Sequence, residues 1–184
     1  MSMRIGYGYD SHEFKAGVPL VIGGVKFDHT HGLAGHSDGD VLLHAITDAL
    51  LGAVAVGDIG SFFPPSDPQW KGANSVLFLG EAIRQITVAG FRVVNVDTTM
   101  ILSAPKIVPH AEKLRVRVAE LLSVAPNCVG IKAKTPEGTG TERAAIAHAV
   151  VLLESISLEP LLQEDAAAED LGVITAIDGE SKTQ

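Results

Sequence analysis

The chain of 184 residues holds a single cysteine, Cys128, so no internal disulfide can staple it. That usage suits a reducing compartment. Because "MSMRIGYGYD" also lacks the apolar stretch of a signal peptide, a cytoplasmic location is expected. A lone cysteine in an apolar run is expected to be a small core residue. Aromatic residues make up only 5% against 46% hydrophobic residues, so the core is expected to be aliphatic. No apolar run approaches the roughly 20 residues that span a bilayer. The longest, Ala49 to Gly57, is closed by Asp48 and Asp58, and no membrane partner is expected. A basic stripe is also missing, which argues against nucleic acid.

Several catalytic signatures are absent too. There is no G-x-x-x-x-G-K-[ST] phosphate loop, no G-x-S-x-G elbow and no H-E-x-x-H helix. No covalent nucleophile announces itself. The formal charge of −8 is unevenly spread: residues 155–184 carry −6, leaving −2 for the rest. The length predicts one domain over residues 1–157, with residues 158–184 an acidic C-terminal tail that is flexible or docks on a neighbour.

Along the domain, strands alternate with helices. Met3 to Tyr9 reads as a strand leading to Asp10, and Val18 to Val25 as a second, broken by two glycines. Asp40 to about Val54 carries a broad apolar face at helical spacing, and Val76 to Val88 reads as another helix. Between them "GDIGSFFPPSDPQWKGANS" is a loop long enough to suggest function. Phe91 to Leu102 alternates as a strand, Pro109 opens a helix to about Leu122, and Cys128 to Lys134 is a strand. Thr141 to about Ser155 is expected to be helical. The pattern predicts an α/β fold, a single layered domain with helices packed on one mixed β-sheet.

The chemistry gathers around two segments, "YDSH" and "GHSDGDVLLH". Strand alternation puts Asp10 and His12 on one face. In the helix, Asp40, His44 and Asp48 recur at i, i+4 and i+8, beside the apolar face where charge needs compensation. A divalent ion held by Asp10, His12 and His44 would supply it, with Asp40 or Asp48 orienting His44 from behind. Two histidines and one carboxylate leave a coordination position open, as in a catalytic zinc site. The same spacing fits a plain capped helix with solvated acids. Ser37 is the expected N-cap, with Asp40 in the capping-box position. A helix start here suits a phosphate near His36 and Ser37. Further loops offer Ser103 to Lys106 and then Lys132, Lys134, Thr135 and Glu137, types that answer phosphate charge and Mg²⁺. The sum points to phosphoryl chemistry by positioning and charge neutralisation.

These segments, with "RIGYGYDSH", "LVIGGV", "NVDTTMILSAPKIVPH" and "KAKTPEG", stand in the order and spacing of one family. Over Met3 to Glu154 the sequence closely resembles the 2-C-methyl-D-erythritol 2,4-cyclodiphosphate synthases. The resemblance implies a homotrimer with active sites between subunits, and a cytidine diphosphate-linked small-molecule substrate that cyclises with release of CMP. It implies Zn²⁺ at Asp10, His12 and His44, and Mg²⁺ or Mn²⁺ with Glu137 and the substrate phosphates. His36 and Thr135 would steady the transition state. Substrate would also meet Ser11 and Ser37, then Asp58, Ile59, Gly60 and Asp67 on the methylerythritol side. The cytidine would meet Leu102, Ser103, Ala104, Pro105, Lys106, Ile107 and Val108, and the phosphates Lys134, Thr135, Pro136 and Glu137. Two departures stand out: Pro65 where many relatives carry an aspartate, and a shorter loop after Glu137. Two other readings fit the inventory, a metal-dependent nucleotide-diphosphate hydrolase and a non-catalytic trimeric nucleotide- or metal-binding protein.

Overall fold

A computed structural model describes residues 1–156. The acidic tail expected at 158–184 lies outside the described residues.

A five-stranded mixed sheet forms the frame. Its strands are β1 (Met3–Ala16), β4 (His31–Leu33), β5 (Phe91–Ile101), β6 (Val129–Lys134) and β7 (Ala144–Ser155), in the order β4-β1-β7-β5-β6. β7 runs antiparallel to both β1 and β5, while β5 and β6 are parallel. The carboxyl ends of β1, β5 and β6 therefore emerge at one end of the sheet. A separate hairpin pairs β2 (Leu20–Ile22) with β3 (Val25–Phe27). It resolves the expected glycine-broken strand into two strands with Gly23 and Gly24 at the turn, both at positive φ.

Among the described residues, four α-helices accompany the strands: α1 (Val41–Ala53), α2 (Ile59–Phe62), α3 (Ser75–Val88) and α4 (Ala111–Leu122). Among the described residues, no helix is long and apolar enough to cross a membrane. α1 is buried along nearly its whole length and lies on β1 and β7. The contact is so close that a Cβ at Gly6 would stand 1.8 Å from the Ala49 carbonyl oxygen, and one at Gly8 would stand 1.9 Å from that of Ala45. Only glycine fits at either position. That intimacy sets His44 of α1 against the Asp10 and His12 positions of β1.

The structure corrects three local expectations. Ala144–Ser155 is the central strand and not a helix. Its alanines favour helix in isolation, and both of its faces are apolar, so period-2 alternation is masked. Ala145, Ala147, Ala149, Val151 and Leu153 are buried on one face, while His148 and Val150 look outward. Small residues here let α1 approach. The N-cap of α1 is Asp40 and not Ser37, because the Asp40 carboxylate accepts the Leu43 N–H. Cys128 is half-buried in the 3₁₀ turn Pro126–Cys128 just before β6, not a core residue.

The long loop after α1 gains structure from its own acids. Asp58 caps α2 through the Ser61 N–H and hydroxyl, and Asp67 caps a 3₁₀ turn over Pro68–Trp70. Phe63, Trp70 and Phe78 then pack together, with Phe63 and Phe78 ring centroids 4.4 Å apart.

Candidate metal and phosphate site

The strand persists through residue 16, so Asp10 and His12 do share a face, turned toward α1. Asp10 Oδ2 lies 2.7 Å from His12 Nε2 and 2.9 Å from His44 Nδ1, and the two ring nitrogens are 3.1 Å apart. Burial alone would push the Asp10 carboxyl up, but the bonds to His12 and His44 outweigh it and hold the group well below the usual carboxylate range. Burial likewise opposes the charged form of His12, yet its Asp10 partner raises its pKa. One oxygen and two nitrogens thus converge on a single point, all within 4.8 Å of one another.

That donor set fits a divalent cation. A carboxylate oxygen has only lone pairs to offer, and a deprotonated ring nitrogen has the same. Two such nitrogens facing one carboxylate oxygen repel one another unless protons or a cation lie between them. A borderline-soft ion such as Zn²⁺ accepts this mixture of imidazole and carboxylate, and three protein ligands leave room for a further one.

Behind the cluster, His44 Nε2 lies 2.8 Å from Ser75 Oγ and 3.1 Å from Ser37 Oγ. Ser75 Oγ donates in turn to Asp38 Oδ1, and the Ser75 N–H donates to Asp38 Oδ2 at 3.1 Å. Sequence reasoning missed Ser75 and Asp38. Ser75 meets His44 across 31 residues of chain, and Asp38 meets Ser75 across 37. The two acids proposed for that position lie elsewhere. Asp40 is fully buried and accepts the Gly23, Gly24 and Leu43 N–H groups. Asp48 accepts the Ile59 N–H at 2.7 Å, fixing the start of α2.

Asp48 has a consequence of its own. Burial pushes its carboxyl above the ordinary value, with the Asp58 and Asp10 charges adding and the Ile59 N–H opposing. The folded state then binds its proton more tightly than the unfolded chain does. Its contribution to stability is complete below the unfolded pKa and is lost as pH rises through the folded one. Asp48→Asn keeps an oxygen for Ile59 and should melt a few degrees above the parent at pH 7, the gap closing toward pH 4. Parallel thermal melts would check this; a less stable variant at pH 7 would mean that the Ile59 bond depends on the charge.

Many of the residues singled out in the sequence line two cavities. The first, about 300 Å³, exposes Asp10, His12, His36, Ser37 and His44 at one side and Ile59, Gly60, Phe63, Trp70 and Phe78 at the other. His36 Nε2 approaches the Asp67 carbonyl at 3.3 Å, which ties the phosphate-side loop to the aromatic loop. The aromatic wall was legible only in hindsight: in a chain with one tryptophan and six phenylalanines, Phe62, Phe63 and Trp70 stand within nine positions. Pro65 also lines this cavity. Asp58 and Asp67 do not; their carboxylates cap the turns beside it. Ser11 sits on the opposite face of β1.

The second cavity, about 500 Å³, is lined by Leu102, Pro105 to Val108, Ala133, Lys134, Thr135 and Glu137. Thr135 Oγ1 donates to Glu137 Oε1, and Glu137 holds a left-handed φ of 53°. Pro136 is buried, and Ser103 bonds the Glu142 carbonyl instead. His12 pairs with Ala145, Ile146 with Ile101, and Ile101 with Lys134. The two cavities therefore open at the same end of the sheet, about three strand spacings or ~14 Å of backbone apart.

The chain that carries this cluster and these cavities has close counterparts among known proteins. A profile described as the YgbB family matches residues 3–154. A 2-C-methyl-D-erythritol 2,4-cyclodiphosphate synthase from Koribacter versatilis is 66% identical over 152 residues, covering 83% of this chain and 98% of that protein. The chloroplastic synthase of Arabidopsis thaliana is 48% identical, covering 83% of this chain and 68% of that one. Among solved structures, a synthase with CDP bound superposes with a TM-score of 0.78 at 40% identity, over 82% of this chain and all of the other. A CDP complex from Plasmodium falciparum gives 0.75 at 32% identity, over 85% and 98%. Sequence and fold thus agree, and the chain belongs to the YgbB family, that of the 2-C-methyl-D-erythritol 2,4-cyclodiphosphate synthases.

Proposed function

We infer that this chain converts 4-diphosphocytidyl-2-C-methyl-D-erythritol 2-phosphate to 2-C-methyl-D-erythritol 2,4-cyclodiphosphate with release of CMP, acting as a phosphorus–oxygen lyase of the non-mevalonate isoprenoid pathway. The observation that carries the reading is the convergence of Asp10, His12 and His44 in a cavity that also exposes His36 and Ser37. CDP-bound relatives support a cytidine diphosphate-linked substrate.

The substrate's 2-phosphate attacks the β-phosphorus and CMP departs, so the nucleophile is already anionic and no strong base is required. What the chain must do is hold two anions together in line. Asp10, His12 and His44 would hold a Zn²⁺-like ion, and Glu137 would contact a Mg²⁺ or Mn²⁺. Such ions neutralise phosphate charge and polarise the phosphorus under attack. His36 would face a phosphate from the loop before α1, while Thr135 and Lys134 would face one from the other cavity. The Phe63–Trp70–Phe78 wall with Ile59 and Gly60 would take the methylerythritol carbons and exclude water. Leu102, the cavity-lining backbone from Pro105 to Val108 and Lys106 would receive the cytidine.

A homotrimer completes the site. Within one chain the two cavities stand apart, and the sheet face opposite α1 exposes Ile5, Tyr7, Tyr9 and Val150 at 72%, 59%, 47% and 43%. Apolar side chains in such a row suit burial against copies of the same face. A cytoplasmic location accords with the lone unpaired cysteine.

The test is ³¹P NMR of the purified protein with the cytidyl substrate, Mg²⁺ and Zn²⁺. CMP and a cyclic diphosphate are expected, and chelation should abolish both. Linear phosphates would mean hydrolysis, and an unchanged spectrum a binding protein.

A further inference from the structure

We propose that Asp38 and Ser75 are positioning residues that fix the tautomer of His44, so that its Nδ1 lone pair faces the cation position between Asp10 and His12. The proposal rests on the metal-site reading above and extends it to residues that touch neither metal nor substrate.

The assignment follows from donor and acceptor bookkeeping along one chain of contacts. The Asp38 carboxylate can only accept. Its two oxygens take the Ser75 hydroxyl and the Ser75 N–H, while the Asp40 N–H approaches Oδ1 at 3.3 Å. The Ser75 hydroxyl has one proton, and that proton is committed to Asp38. Its lone pairs must therefore face His44 Nε2, 2.8 Å away, and Nε2 must carry the ring proton. In a neutral imidazole the other nitrogen is then bare. That nitrogen is Nδ1, which stands 2.9 Å from Asp10 Oδ2 and 3.1 Å from His12 Nε2. The direction of one serine hydroxyl thus decides whether His44 is a ligand.

The support around the relay is built to hold that direction. Ser75 is fully buried at the start of the 14-residue helix α3, capped by Asn74. The Asp38 N–H bonds the Ala73 carbonyl at 3.0 Å, so the two loops are tied by backbone as well. Ser37 Oγ, 3.1 Å from Nε2, is a weaker second acceptor and limits how far loss of Ser75 alone can go.

Two substitutions act on the relay in different ways. Ser75→Ala removes the main acceptor and lets the ring proton move to Nδ1 against Asp10. Asp38→Asn is nearly isosteric but reverses the polarity. Its oxygen must stay on the Ser75 N–H, so its NH₂ group points at Ser75 Oγ. The Ser75 hydroxyl is then free to donate to Nε2, and the proton is forced onto Nδ1.

Partners behind metal-ligating histidines typically change affinity by about 10–100-fold. Zn²⁺ affinity, read by competition with a chromophoric chelator and without turnover, should fall at least about tenfold in Ser75→Ala and further in Asp38→Asn. Turnover of both should recover as free Zn²⁺ is raised, which a merely misfolded site would not do. In ¹⁵N-histidine-labelled, zinc-loaded wild-type protein, His44 should carry its proton on Nε2. Unchanged Zn²⁺ affinity in both variants, or a proton on His44 Nδ1, would overturn the proposal while leaving synthase activity in place. Should either variant fold poorly by thermal melt, the wild-type spectrum decides alone. A wild-type protein that binds no Zn²⁺ would overturn both this and the metal site.

Discussion

His44→Ala is expected to lose tight Zn²⁺ binding and at least about a thousandfold in turnover, the equivalent of ~4 kcal/mol of transition-state stabilisation. The ring supplies one of three converging donors, and it is the one whose position is set from both sides, by Asp10 in front and by Ser75 behind. Without it, Asp10 and His12 remain as a pair on one strand, too few to hold an ion firmly. Fold and assembly should survive, because Asp40 caps α1 independently and the exposed sheet face lies on the other side of β1. The decisive comparison is thermal. Zn²⁺ at about a hundred times its dissociation constant stabilises a folded protein by ~2.7 kcal/mol, or roughly 5–10 °C for a chain of this size. Wild type should show that rise, and His44→Ala should melt at one temperature with or without Zn²⁺. A variant that keeps both the rise and full turnover would remove His44 from the metal site.

How much of this was legible in the sequence depends on how local each signal is. Asp10 and His12 could be placed together because strand parity acts over two residues. His44 could be placed on a helix face because helical periodicity acts over four. The meeting of the two was reached through charge, since a histidine beside an apolar face needed a partner and the D-x-H strand offered one, and through the family resemblance. The glycines that make the meeting possible, Gly6 and Gly8, lie inside the expected strand and form its contact surface with α1. Long-range contacts left no such trace. Ser75 is a polar residue at a helix start, and nothing in its neighbours says that its hydroxyl reaches back to Asp38. The misread Ala144–Ser155 fails for a related reason. A strand buried on one face and apolar on the other shows no alternation, so local alanine preference prevails until the sheet is seen. Asp40 shows the opposite error: the helical stripe drew it toward His44, whereas its carboxylate faces the hairpin.

That carboxylate is the basis of the largest expected effect on stability. Asp40 is completely buried, and its two oxygens accept three backbone N–H groups: Gly23 at 2.8 Å, Gly24 at 2.6 Å and Leu43 at 3.1 Å. It therefore caps α1 and clasps the β2–β3 hairpin with one side chain. Burial pushes its carboxyl above the usual range, and the nearby Asp38 charge adds to this, while the Gly24, Leu43 and Gly23 donors pull the other way. Asp40→Ala leaves those three donors without a partner in a closed environment. Each orphaned group costs about 1–3 kcal/mol, and because one relaxation serves all three, the total should be on the order of 3–5 kcal/mol. Against the ~5–15 kcal/mol that holds a domain of ordinary stability, that is enough to leave the variant marginal. Asp40→Asn should lose less. It retains an oxygen for Gly23 and Leu43, removes a buried charge, and sacrifices only the Gly24 bond to an opposed NH₂ group. Urea unfolding of the three proteins should therefore rank wild type above Asp40→Asn above Asp40→Ala, with similar m-values. If Asp40→Ala unfolded within about 1 kcal/mol of the parent, water or a shifted hairpin must satisfy the amides. The loop ahead of α1 would then be positioned by Asp38 alone.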